Sequence, residues 1–106
     1  MDSVPTHLEL TVGEDYELPL LGLGTSGYAW GHELRGEAGV ADVSWTRGYP
    51  EGAPPLRAGL SAPEIATISG RRPGTVELIL RQRRPWEPPE RAREEHHISV
   101  VVSGPA

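Results

Sequence analysis

An all-β sandwich of about seven strands is the fold class that this chain of 106 residues predicts, on three observations. Short segments alternate apolar and polar residues with a period of two, as strands with one buried face do. Turn signals built on Gly, Pro and Asp separate those segments at intervals of about 8 to 12 residues. Nowhere does a helical period with cap signals persist over three turns.

Taken in order, residues 7–12 place Leu8, Leu10 and Val12 on one face. Gly13-Glu14-Asp15 then supplies a turn, and Tyr16, Leu18 and Leu20 resume the same period. The first two strands therefore read as a β-hairpin. Residues 21–27 carry Gly22, Gly24 and Gly27 and break the pattern, so a loop precedes a third strand over 28–34. Tyr28 and Trp30 share a face of that strand and are expected in the core. Residues 40–46, with Val43 and Trp45 on one face, form a fourth strand. Residues 47–62 hold Gly48, Pro50, Gly52, Pro54, Pro55 and Gly59, a composition that excludes a strand interior and implies a long loop. A short strand over 65–69 leads to the turn Arg72-Pro73-Gly74-Thr75, after which Val76, Leu78 and Leu80 line one face. Ile98, Val100 and Val102 mark the last strand, apolar enough to serve as a pairing edge for a second copy.

One domain is expected, because a chain of this length buries about 65% of its unfolded surface, enough for a two-layer core. No cysteine occurs, which removes disulfides, zinc-thiolate sites and thiol chemistry. The net charge is -5, and all ten basic residues are arginines. Several of them fall late in the chain, at Arg81, Arg83, Arg84, Arg91 and Arg93, but Glu87, Glu90, Glu94 and Glu95 are interleaved. That is a mixed solvated surface, and it argues against a nucleic-acid partner. No apolar run approaches the 18 or so residues of a membrane span. Met1-Asp2-Ser3-Val4-Pro5 lacks the basic start and apolar run of a secretory signal. A cytoplasmic protein is expected on that ground, or a periplasmic or secreted one if a leader has been removed.

Two loop motifs stand out, Thr25-Ser26-Gly27-Tyr28-Ala29-Trp30 and Arg84-Pro85-Trp86. Each lies between alternating segments, and loops presented by a sheet are where binding concentrates. Gly27 permits a positive φ and a close backbone approach. Pro85 stiffens the chain beside Trp86, and a tryptophan on a stiff loop next to an arginine has the composition of a binding hot spot. The structural alternative for Trp86 is a ring folded back on the sheet or stacked under Arg83 or Arg84. Neither motif pairs a nucleophile with a base, so the chain reads as a binder and not an enzyme. His96 and His97 are strand neighbours that point to opposite faces and do not jointly hold a metal. Pro85-Trp86-Glu87-Pro88 fits a stiff hairpin connection better than a polyproline ligand.

Together with the small-residue loop Gly59-Leu60-Ser61-Ala62 and the turn at Arg72-Pro73-Gly74, these motifs occur in the order and approximate spacing of the chagasin-type inhibitors of papain-like cysteine proteases. The chain resembles that family over nearly its whole length. The resemblance implies an immunoglobulin-like β-sandwich of seven to eight strands whose three loops at one end wedge into the protease cleft. On that likeness Gly24, Thr25, Ser26 and Gly27 would cover the catalytic cysteine. Gly59, Leu60, Ser61 and Ala62 would run along the non-primed side through backbone hydrogen bonds. Trp86 would pack on the opposite side, with Pro85 stiffening its loop and Arg84 reaching polar groups nearby. Two departures stand in the motifs: Leu23-Gly24 replaces an Asn-Pro pair, and Ser61-Ala62 replaces two glycines. The implied function is reversible, non-covalent inhibition of a papain-like cysteine protease by a monomer that needs no cofactor and no metal. The alternative is an immunoglobulin-like binding or scaffold module that turns the same loops toward a non-protease partner.

Overall fold

The computed structural model describes residues 4–20, 27–47 and 64–104, with Arg47 and Pro89 described by their backbone alone. Among the described residues seven strands appear in this order: β1 (His7–Thr11), β2 (Asp15–Leu20), β3 (Ala29–Gly36), β4 (Ala41–Arg47), β5 (Glu64–Gly70), β6 (Gly74–Arg83) and β7 (Glu94–Ser103). A short 3-10 turn at Pro89–Arg91 precedes β7. The strands form a four-stranded sheet, β1-β7-β6-β3, facing a three-stranded sheet, β2-β5-β4. Every pairing is antiparallel except that of β1 with β7, where His7 lies opposite Ser99 and Thr11 opposite Ser103. The immunoglobulin-like sandwich expected from the sequence is the fold observed.

The core follows from the alternation. Leu8 and Leu10 of β1, Leu78 and Leu80 of β6, and Ile98 and Val100 of β7 meet Leu18 and Leu20 of β2 and Ala66 and Ile68 of β5. Each of the larger side chains contributes about 1.5–3 kcal/mol by leaving water. Val43 and Trp45 of β4 are partly buried and pack against this cluster from the side.

The expected β1/β2 hairpin does not form. β1 pairs with β7 and β2 with β5, so the turn between them is a corner that lifts the chain from one sheet to the other. The reason lies in the core, because Leu8 and Leu10 must face Leu18 and Leu20 across the sandwich and not beside them. The corner is well fixed: Gly13 has φ +91°, its N–H donates to the Gly70 carbonyl at 2.9 Å, and the Glu14 carboxylate accepts the Thr11 N–H at 3.0 Å. Val12 falls beyond β1 and is exposed. The Pro73-Gly74 turn also crosses between sheets, from β5 to β6. The expectation that the last strand is a free pairing edge is likewise overturned, since β7 lies between β1 and β6, paired with β6 from Glu94 to Val102 and with β1 from Ser99 to Ser103.

Candidate functional site

All the long connections leave from one end of the sandwich. At that end Glu64, the first residue of β5, lies between Leu20 and Arg47, the last residues of β2 and β4. In the other sheet Ala29 opens β3 opposite Arg83, and Glu94 opens β7 opposite Gln82. Residues 21–28, 48–63 and 84–93 therefore all begin and end here.

The third connection is built as a rigid tip. The Glu87 N–H donates to the Arg84 carbonyl at 2.9 Å, closing a β-turn with Pro85 at its second position, where the fixed φ of proline is suited. Beneath it the Arg83 guanidinium donates to the carbonyls of Pro85 at 3.2 Å and Glu87 at 2.5 Å. At the base, the Arg93 N–H donates to the Gln82 carbonyl at 2.7 Å and its guanidinium to Gln82 Oε1 at 3.0 Å. Trp86 sits on this tip with 73% of its surface exposed. The ring is thus held out, not folded back. Ordering such a tip before association lowers the entropy lost on binding.

The first motif meets the third directly. Gly27 has φ +85°, and a Cβ placed on it would lie 3.1 Å from Cη2 of Trp86. The left-handed backbone favours glycine here, and its bare Cα lets the ring lie close. Next to it, Cζ of Arg84 lies 4.5 Å from the centroid of the Tyr28 ring, a cation-π distance. This corrects the placement of Tyr28 in the core. Trp30 is buried at 7% exposure, but Tyr28 precedes β3, is half-buried, and serves as the platform for Arg84. Gly27, Arg84, Pro85 and Trp86 are therefore brought together, whereas Gly24, Thr25, Ser26, Gly59, Leu60, Ser61 and Ala62 lie outside the described residues.

Under the tip is a layer of polar and aromatic side chains in which Trp30 and His96 meet two residues that drew no notice in the sequence, Glu64 and Gln82. His96 stacks on Trp30 with ring centroids 6.0 Å apart and bonds Glu94 at 3.0 Å. Glu94 is held below the usual carboxylate range, first by His96 and then by Arg93. Glu64, 7% exposed, accepts the Trp30 N–H across the sandwich at 3.3 Å. A signal for these residues was present: Glu64 shares strand parity with Ala66 and Ile68, and Gln82 with Leu78 and Leu80, so both point inward.

Away from this end, the outer face of the four-stranded sheet is a chain of ion pairs. Arg81 bonds Glu33 at 2.9 Å and Glu95 at 2.7 Å, and Arg35 bonds Glu33 at 2.6 Å. Those two arginines hold the Glu33 carboxyl down at about 2. His97 faces this side, opposite to His96, and Glu77 and Glu95 raise its pKa. Such exposed pairs are worth little individually and act as a solvated surface. Among the described residues no group of three or more acidic or histidine side chains is placed to hold a metal ion.

Comparison with known proteins agrees with this architecture. Among solved structures, the crystal structure of the cysteine protease inhibitor EhICP2 from Entamoeba histolytica superposes with a TM-score of 0.70 at 19% identity, covering 93% of this chain and 86% of that one. The solution structure of amebosin gives a TM-score of 0.68 at 26% identity, covering 92% of this chain and 88% of that one. No curated protein matches the chain. The model of the chagasin family of peptidase inhibitors, I42, matches residues 9–100, and on that span the chain belongs to the chagasin family.

Proposed function

We propose that the open end of the sandwich is a wedge that enters the cleft of a papain-like cysteine protease and blocks it reversibly, without a covalent bond. The chain is a protein inhibitor and not an enzyme, as its family membership states. In this reading Gly24, Thr25, Ser26 and Gly27 cover the catalytic cysteine, Gly59, Leu60, Ser61 and Ala62 run along the non-primed side, and Arg84, Pro85 and Trp86 grip the other wall. The carrying observation is Trp86, 73% exposed on a braced turn and lying against Gly27 of the first motif. A large ring held in water at the tip of a rigid loop is what an interface anchor looks like before its partner arrives. Standard-size interfaces bury about 1,600 Å² in total, and nanomolar binding corresponds to about -12 kcal/mol.

Initial rates of papain and of a cathepsin L-type protease, followed across a concentration series of the domain, test the proposal. Saturable inhibition that reverses on dilution is the expected result. Absence of inhibition at tens of micromolar against both enzymes would overturn it and leave a binding module with another partner.

A further inference from the structure

We propose that Glu64 is a positioning residue for inhibition: its carboxylate, reaching across the sandwich to the backbone of Trp30, sets the spacing between the strand ends that carry the three loops. The inference rests on the wedge reading above. Glu64 is the first residue of β5, and its Cα stands between the last residues of β2 and β4, Leu20 and Arg47. Its side chain turns inward, 7% exposed, and Oε2 accepts the N–H of Trp30 at 3.3 Å from the opposing sheet. Trp30 lies three residues beyond Gly27 and opposite Gln82 of β6. Gln82 is fully buried and holds Arg93 by both its backbone carbonyl and Oε1. The row Glu64, Trp30, Gln82, Arg93 thus crosses the base of the open end and touches an anchor of each connection. Immediately below it the interior is apolar, with Leu18, Ala66 and Leu80.

A carboxylate is a costly occupant of such a layer, because its charge must leave bulk water, and apolar side chains of similar volume often serve stability as well or better. What a directed acceptor adds is geometry. A hydrogen bond fixes distance and angle between two sheets, where apolar packing alone tolerates a slide. For a wedge read by a rigid cleft, a displacement of about 1 Å between loops is enough to spoil the fit.

Three variants decide the matter: Glu64→Gln keeps the acceptor and the length, Glu64→Asp keeps the charge but is too short to span, and Glu64→Met keeps the volume without an acceptor. Papain is the probe, with association and dissociation rates read from progress curves and Tm measured in parallel. The expected result is a Ki raised at least 10-fold for Asp and Met, mainly through faster dissociation, and within about 3-fold of wild type for Gln, with Tm in Met unchanged or higher. Wild-type affinity in the Asp variant, or in a folded Met variant, would overturn the proposal. If the wild-type chain fails to inhibit, it is the wedge reading that falls, and the brace is judged separately by amide hydrogen exchange at Trp30. Exchange at least 10-fold faster in Asp than in wild type and Gln would uphold the brace, and equal exchange would overturn it.

Discussion

The two ends of the sandwich solve opposite problems. At the closed end, residues 12–14, 37–40 and 71–73 turn the chain between sheets in the fewest residues. Backbone groups bond each other there: Gly70 N–H to Glu14, and the N–H groups of Arg71 and Arg72 to the Val40 carbonyl. Packing is so close that a Cβ on Gly70 would lie 2.7 Å from the Thr11 carbonyl oxygen. At the open end the connections are longer, the buried layer is polar, and Trp86 stands in water. Backbone economy locks the fold at one end, while at the other side chains such as Arg83, Arg84 and Glu64 hold a shape that the strands themselves do not need.

If that division holds, changes at the closed end should cost stability and changes at the open end affinity. Gly70→Ala is the largest expected effect, about 3 kcal/mol of folding free energy from overpacking, or roughly 15 °C in Tm, with Ki unchanged below the transition. A rise in Ki comparable with its loss of stability would break the separation. Trp86→Ala should do the reverse, weakening the protease complex by about 2 kcal/mol, near 30-fold, while thermal unfolding stays put. A large drop in Tm for that variant would place the ring in the core. Tyr28→Leu removes the platform under Arg84 and should raise Ki about 5-fold, for a cation-π contact of about 1 kcal/mol. An unchanged Ki would mean that Arg84 keeps its position without the Tyr28 ring.

The smallest effect concerns acid. Burial lowers the pKa of His32, whose Nδ1 accepts the Trp45 Nε1–H at 2.9 Å and must stay unprotonated to do so. In the window between its folded value and 6.5 the unfolded chain binds more protons, so its contribution is lost as pH falls below 6.5. His97 has the opposite sign: its folded pKa is raised, so its contribution is present below 6.5 and is lost as pH rises through the folded value. The two oppose each other in wild type. Removing one by His97→Asn should leave a Tm that falls by about 1–2 °C from about pH 7.5 to 5.5, and a flat profile would dismiss the His32–Trp45 bond as a pH-sensitive tie.

The strands were legible because Leu8, Leu10, Leu18, Leu20, Leu78 and Leu80 alternate with polar residues, and a period of two survives any topology. Sheet membership was not. Gly13-Glu14-Asp15 has the chemistry of a hairpin turn, and local sequence does not distinguish a turn that keeps the chain in its sheet from one that lifts it to the other; long-range pairing to β7 and β5 decides. In the candidate site, the exposure of Trp86 was readable from Pro85 and its arginine neighbour. Tyr28 was misjudged because parity with Trp30 argues for burial only within a strand, and β3 begins one residue later. Glu64 was missed although its inward parity was visible, since a charge on a buried face draws attention only once the layer around it is known.

The parallel pairing of β1 with β7 has a consequence for how the molecule is made. His7 finds Ser99, and Thr11 finds Ser103, only after nearly the whole chain exists. Closing so long a loop costs entropy before any contact repays it, and topologies dominated by such pairings fold in milliseconds to seconds. During synthesis, then, the first strand leaves the ribosome without its neighbour and waits for the last, its leucines open to chaperones and to aggregation for as long as translation takes.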